Sequence, residues 1–586
     1  MSSSGVVSRR LRRVIYLNIL LIFDIVLASC TSTASAGSQT PSAVPGTDTV
    51  IITILNTNVQ KAVARVLFTT DADSLEDDNK LSLQACGPEQ QISVWSPGFY
   101  IETFRCDGRS EYAITLTQFQ MADNATYTWT DADIRTDPLR NCQGCHSDLQ
   151  GRSEHAEWKA DGHSKVFLEP YFSTLYTGTD VFRNPGSETV WKILDSGQKL
   201  RIRSDSKYGP GFRLDYPGDN GNCAFCHAPA AVKVFNQTVD LTGWNNNLPG
   251  TPINVETEGI TCDVCHKVVD VLLGQDGRPY VERPGVLSFS FVELELNQLF
   301  SVGPLADYKP ENAKTRATCS PVFSESKFCA ACHYGKFFDT VIYNSYGEWL
   351  ESGYSNKETG NYRSCQDCHM PSAQEIGNSA PQERAACSEA NHSFRSFNHN
   401  MMRRNIDGIP ALVKDAATIG LVARIEDGRI NVAVDVQSVG VGHKFPTDSP
   451  LRHLILLVEA KDQNGTLLAQ VGGPMIPLWG GVGSNPEEDY AGRPGEIYAN
   501  ILTDRDTNLS PTVAYWNPTL PAWAGSDTRL KPNEPTQSEY SFAVPSNGAA
   551  TITARLIYRY AFIDIMRQKS WDRDDIEVTM AEKVVP

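Results

Sequence analysis

Five times in 586 residues, two cysteines stand three positions apart with a histidine directly after the second. These are Cys142/Cys145/His146, Cys223/Cys226/His227, Cys262/Cys265/His266, Cys329/Cys332/His333 and Cys365/Cys368/His369, called sites 1 to 5. They take ten of the fifteen cysteines and five of the eleven histidines. Random scattering of these residues would give on the order of 0.01 such motifs. Two thiols at this spacing can both reach the vinyl groups on one edge of a porphyrin, and the next residue then presents an imidazole to the iron. The expected cofactors are five covalently attached haem c groups, with His146, His227, His266, His333 and His369 as proximal ligands. A zinc site or a redox dithiol is the ordinary reading of a lone CxxC. A dithiol protein needs one motif rather than five, and zinc does not demand a histidine after every second cysteine.

The sixth ligand decides what such irons do. With histidine on both faces the metal is saturated and passes electrons, whereas an open face can bind a substrate. Six histidines remain for five positions: His163, His392, His399, His443, His155 and His453. Complete bis-histidine ligation is therefore allowed by the count. His163 ends the stretch Trp158–His163, and Trp349–Tyr354 repeats its spacing, which puts Tyr354 in the slot of His163. His392 and His399 follow the last motif and can fold back onto a neighbouring site. His443 sits in the loop Gly442-His443-Lys444-Phe445-Pro446-Thr447 and would tie the C-terminal part to the haem region. His155 reads as a solvated helix residue and His453 as a strand-face residue, so both stand behind the other four. Met370, Met401 and Met402 stand behind all the histidines.

The elements that must position these residues fall into three domains, since 586 residues exceed what one core organises. Residues 1–30 read as a lipoprotein signal peptide. Arg9, Arg10, Arg12 and Arg13 precede an apolar run ending in Leu27-Ala28-Ser29-Cys30, with Cys30 as the lipidation site. Residues 31–47 are a flexible linker rich in Ser, Thr, Ala and Pro. Residues 48–130 carry short β-branched runs at Val50–Ile54, Val63–Phe68, Gln91–Trp95 and Tyr112–Leu116, predicting an N-terminal β-sandwich-like domain. Residues 131–409 form the pentahaem cytochrome c domain, mainly α and irregular, in which porphyrin replaces a side-chain core. Residues 410–586 return to strand signals at Arg429–Val436, Arg452–Ala460, Thr466–Val471, Tyr540–Val544 and Thr551–Tyr560, predicting a C-terminal β-sandwich. The fold class is thus multidomain, a haem-packed core flanked by two β-sandwich-like domains. The motif-to-motif steps of 81, 39, 67 and 36 residues predict two close pairs, sites 2 with 3 and sites 4 with 5.

Outside the motifs and the lipidation site lie Cys86, Cys106, Cys319 and Cys387. In an exported protein this even remainder suggests two disulfides, Cys86 with Cys106 and, with connectivity not written in the sequence, Cys319 with Cys387. The net charge of -17, to which haem propionates would add, argues against a nucleic-acid partner. The expected partners are redox proteins or an external electron acceptor, with the membrane reached through the lipid anchor.

Asn222–His227, Gly259–His266, Phe328–His333, Cys365–Pro371 and Gly442–Thr447 together resemble the multihaem c-type cytochromes grouped with the tetrahaem cytochrome of ammonia oxidisers and with hydroxylamine oxidoreductase. The resemblance covers about residues 141–452. It implies closely stacked haems, mostly with two histidine ligands, and a distal role for His163. The chain shows neither the catalytic haem of hydroxylamine oxidoreductase nor a CxxCK site, so no enzymatic activity is carried over. Some such cytochromes polymerise, which adds a haem-to-haem oligomer or filament to the expected partners. The resulting expectation is an exported, lipid-anchored pentahaem cytochrome, in the periplasm or at the outer cell surface, that relays electrons. The alternative is a reductase or oxidase acting on a small nitrogen or sulfur compound at one open-faced haem. A third reading makes the β-domains the working parts, binding mineral, polysaccharide or a partner.

Overall fold

The computed structural model describes most of residues 49–118, 129–242, 259–370 and 412–586. Short breaks within these blocks, among them Cys145, 203–207, 292–298, 304–314 and 481–488, lie outside the described residues. Cys30, the linker 31–47, Cys387, His392, His399, Met401 and Met402 also lie outside them, and with Cys387 the pairing expected for Cys319. No helix among the described residues is long and apolar enough to cross a membrane.

In the first domain, the alternation of Thr49–Ile54 buries Val50, Ile52 and Ile54 on one face. The strand pairs antiparallel with Lys80–Gln84 and parallel with Glu111–Ile114. A second sheet runs in the order Ala72–Ser74, Val63–Val66, Gln91–Trp95, Glu102–Arg105. Ile52 and Leu81 from the first sheet and Ile92 and Val94 from the second belong to one apolar core. Cys86 and Cys106 are joined by a disulfide beside it.

The C-terminal domain has two four-stranded sheets. One runs Ala417–Glu426, Arg429–Ser438, Pro535–Ala543, Gln470–Gly472, and the other runs Gly495–Tyr498, His453–Lys461, Ala550–Arg559, Ile576–Val585. Period-2 alternation in Arg429–Ser438 turns Ile430, Val432, Val434 and Val436 inward. They meet Leu454, Leu456 and Val458 and also Ile552, Ala554 and Leu556 in one core. Each such aliphatic side chain contributes about 1.5–3 kcal/mol of burial. His453–Lys461 is buried on both faces over eight of its nine residues, because Ile455 and Leu457 on its other face, beside Ile557 of the paired strand, pack with Ile476 and Tyr490.

Between these domains the described helices are short, the longest being Pro170–Thr177. Helices of one or two turns do not hold themselves together in water. They are fixed here by caps and by the C-terminal domain. The ammonium of Lys569, fully buried at the end of helix Ile563–Lys569, donates to the carbonyls of Thr174 and Thr179 at 3.0 Å each. Trp571 donates to Thr174 Oγ1 at 3.1 Å. Arg201, itself buried, meets Asp504 at 2.9 Å and Asp506 at 2.9 Å. Asp215 accepts from Trp516 Nε1 and Asn517 Nδ2, both at 2.8 Å. The middle region and the C-terminal sheets are therefore one packed unit at these seams.

Candidate cofactor sites

Four of the five CxxCH motifs lie on single helical turns: Ala224–His227 with Cys223 as its cap residue, Cys262–Cys265, Lys327–His333 and Cys365–His369. A helical turn brings residues three apart to one side, so both thiols of a motif face the same way and the histidine follows directly. Side-chain caps set where two of the turns begin. Thr261 Oγ1 accepts from Val264 N at 3.3 Å. Ser364 and Asp367 form a reciprocal capping box. At site 2 Gly285 has a φ of +56° and lies so close that an added Cβ would run into the Phe225 carbonyl and sit 2.8 Å from Cys226 Sγ. Only glycine fits both the backbone angle and the approach.

Cys142, Cys223, Cys226, Cys262, Cys265, Cys329, Cys332, Cys365 and Cys368 carry thiols rather than disulfides. Cys368 is half-buried on helix Cys365–His369, one turn from Cys365. Thiols of different motifs meet: Cys142 with Cys262, Cys226 with Cys332, and Cys329 with Cys365. Burial pushes Cys223 and Cys265 up to about 12. The neighbours are thus sites 1 with 3, 2 with 4, and 4 with 5, and Cys265 of site 3 also lies within electrostatic reach of Cys329 and Cys332. Chain steps alone paired site 2 with site 3. Among the described residues, the cysteine contact of site 2 runs to site 4, far along the chain, while sites 4 and 5 pair as their chain step suggests.

Two imidazole pairs face one another. The His163 and His333 ring centres are 6.1 Å apart, and those of His369 and His443 are 6.2 Å apart. An iron held by one imidazole on each side, with metal–nitrogen bonds of about 2.0–2.1 Å, needs ring centres about 6.3 Å apart. Direct ring stacking would bring them closer, as Phe172 and His227 show at 3.6 Å. In three of these four imidazoles Nδ1 is committed elsewhere, so Nε2 is the nitrogen left to ligate. His163 Nδ1 meets Asp161 Oδ1 at 2.8 Å, His333 Nδ1 meets Asp448 Oδ2 at 3.0 Å, and His443 Nδ1 meets the Lys444 carbonyl at 2.8 Å. His227 Nδ1 meets the Val166 carbonyl at 3.0 Å, and burial holds this imidazole down to about 4. Burial alone would also lower His333, but the Asp448 charge and hydrogen bond overcome it and leave that imidazole above its ordinary value. Asp448, although largely enclosed, is held well below the usual carboxylate range by His333 and Arg452.

Glu348 on helix Ser345–Leu350 pins the loop that carries His443. It accepts from Lys444 N at 3.1 Å and Thr447 Oγ1 at 2.6 Å, and pairs with Arg529 at 2.9 Å. Glu348 and Asp448 escaped the sequence reading. Asp448 carried one legible signal: it sits five residues after His443 in the same Gly- and Pro-containing loop.

The other histidine candidates lie differently. His155 is on helix Glu154–Ala160 but is 6% exposed rather than solvated, and its Nε2 is held by Asp133 Oδ1 at 2.8 Å. The first turn of that helix directs His155 at Asp133 instead of solvent. His453 is fully buried in the C-terminal domain between Phe562 and Trp479, with Nδ1 on the Leu451 carbonyl at 3.1 Å. It faces no motif histidine in that core. His392 and His399 lie outside the described residues. Tyr354 accepts from Asn533 Nδ2 at 3.3 Å through its hydroxyl. Among the described residues no group of three or more His, Cys, Asp or Glu is gathered as a metal cluster.

No family model matches the chain, and no curated protein matches it. Among solved structures it is similar to a penta-heme cytochrome c552 from Thermochromatium tepidum. That likeness covers 76% of this chain and 97% of that chain at 20% identity, with a TM-score of 0.47.

Proposed function

We propose that the chain is a multihaem c-type cytochrome that relays electrons through five closely spaced sites. The supporting observation is the pair of facing imidazoles, His163 with His333 and His369 with His443, each spaced for one iron and each containing a histidine that directly follows a CxxC. Ten motif cysteines would hold the porphyrin edges, and the thiol contacts between motifs would set neighbouring groups close together. Haem c bound there supplies one-electron iron chemistry. With haem bound, His163 with His333 and His369 with His443 would fill both faces of sites 4 and 5 and leave no place for an exogenous ligand, and the buried Tyr346 would help to keep water out. The arginine-led N-terminus ending at Cys30 supports export and a lipid anchor in the same reading.

A second reading has a specific observation in its favour. With His453 in the β-core and His155 Nε2 on Asp133, His392 and His399 stand for three far faces unless His155 ligates through Nδ1, so without that ligation one of sites 1 to 3 would lack a histidine there. Such a face could bind a small nitrogen or sulfur compound. Electron paramagnetic resonance of the oxidised full-length protein separates the readings. Five low-spin signals unmoved by nitrite or cyanide fit the relay alone, and a high-spin ferric signal that either anion shifts fits the open face.

A further inference from the structure

Both imidazoles of the site 4 pair give Nδ1 to a carboxylate. Asp161, with no exposed surface, holds His163, and Asp448, with 18% of its side chain exposed, holds His333. At the neighbouring sites 2 and 5, His227 and His443 instead meet the neutral carbonyls of Val166 and Lys444. Iron has two axial positions, so two carboxylate-bonded imidazoles are the most that any site can have. The same site is central in space. Cys332 meets Cys226 of site 2, Cys329 meets Cys365 of site 5, and both lie near Cys265 of site 3.

An imidazole that donates Nδ1–H to a carboxylate gains basicity toward the metal. Stronger donation favours the more highly charged ferric state, and two poorly screened negative charges favour it further. Arg452, close to Asp448, offsets part of that charge but leaves the His333 hydrogen bond in place. We propose that Asp161 and Asp448 are positioning residues that make site 4 the lowest-potential centre of the array, a junction that sheds electrons to sites 2, 3 and 5. Each passage is a single electron taken from a ferrous neighbour and given to a ferric one, and the Nδ1 protons stay where they are. The inference rests on the relay reading.

The test is a spectroelectrochemical titration of the full-length holoprotein, resolved into its one-electron components. Asp448→Asn and Asp161→Asn should each raise the ferrous-to-ferric ratio of the lowest component by about tenfold at fixed ambient potential, which is about 59 mV for one electron. The remaining components should stay in place, and Asp448→Glu should restore most of the shift. Asn at 161 keeps an oxygen to cap His163 N, and the two carboxylates lie on different segments, so a loading defect in one variant leaves the other to decide. An unmoved lowest component in a fully loaded variant, or a shift spread evenly over all components, overturns the proposal. A wild-type protein without covalent haem would instead overturn the relay reading beneath it.

Discussion

The indole N–H of Trp158 donates to the carbonyl oxygen of Ile260 at 2.8 Å, two residues ahead of Cys262. Trp349 does the same to Arg363 at 2.7 Å, two residues ahead of Cys365. The residue five positions after each tryptophan completes the unit, because the carbonyls of His163 and Tyr354 accept from Ile260 N and Arg363 N at 3.0 Å each. The first cysteines of the joined motifs also meet, Cys142 with Cys262 and Cys329 with Cys365. One local arrangement thus occurs twice, bracing site 3 against site 1 and site 5 against site 4. His163 of the first copy faces His333 of the second, and Tyr354 of the second lies against the His443 loop, where an added Cβ at Gly442 would be 3.7 Å from its ring.

Trp158→Phe and Trp349→Phe each leave one of these carbonyls without its indole donor while keeping an aromatic ring. The expected loss is about 1–3 kcal/mol per variant, read as a lower urea midpoint. A loss within about 0.3 kcal/mol, the error of such measurements, would show that the bracing bonds are incidental.

His163→Ala and His443→Ala should each convert one low-spin haem to high-spin without loss of covalent attachment, and the double variant should convert two. Added imidazole should restore the low-spin signal, since it refills the position opposite His333 or His369. Magnetic circular dichroism in the near infrared counts these conversions. An unchanged low-spin count in either variant would place that histidine outside the iron's coordination.

Arg201 is buried against Asp504 and Asp506 of the C-terminal domain, with Asp215 3.9 Å away. Arg201→Met should cost about 3–5 kcal/mol, because it leaves a buried carboxylate uncompensated. Arg201→Met combined with Asp504→Asn should recover part of that cost. Additive losses in the double variant would mean that the pair is not coupled.

His453 supplies a pH dependence. Burial first, and the Arg559 charge second, hold its imidazole down to about 3. The unfolded chain takes up this proton below about pH 6.5, while the folded chain refuses it until near pH 3. The stability contributed is therefore complete above about pH 6.5 and is lost as pH falls, by at most about 1.4 kcal/mol per pH unit. Between about pH 6.5 and 5 the wild type should lose about 2 kcal/mol more than His453→Gln in urea unfolding followed by circular dichroism. Parallel pH profiles for the two proteins would show that His453 titrates normally.

What the sequence disclosed follows from how local each signal is. The CxxCH motifs are complete in five residues, so their chemistry was readable without a fold. Arg429–Val436 was readable because period-2 alternation belongs to the strand itself, and it lies within the strand Arg429–Ser438. The strands Ala417–Glu426 and Ile576–Val585 are less legible, since Gly420 interrupts the first and Glu577, Glu582 and Lys583 break the apolar run of the second. The cysteine pair Cys86–Cys106 lies on neighbouring segments of one small domain, which is why it could be named. Which sites touch, which imidazole faces which, and the roles of Asp448 and Glu348 depend on segments far apart in the chain, as for His163 and His333. No periodicity encodes such contacts. His453 shows the reverse case, a histidine that the count admitted as a ligand and that the fold uses as core.

The most direct measurement is the mass of the denatured full-length protein after expression with cytochrome c maturation machinery, paired with a pyridine haemochrome count. The account predicts the mature polypeptide mass plus five porphyrins that survive denaturation, with peptides carrying Cys142/Cys145, Cys223/Cys226, Cys262/Cys265, Cys329/Cys332 and Cys365/Cys368 each modified once. An unmodified polypeptide mass, with these ten cysteines open to alkylation, would contradict it.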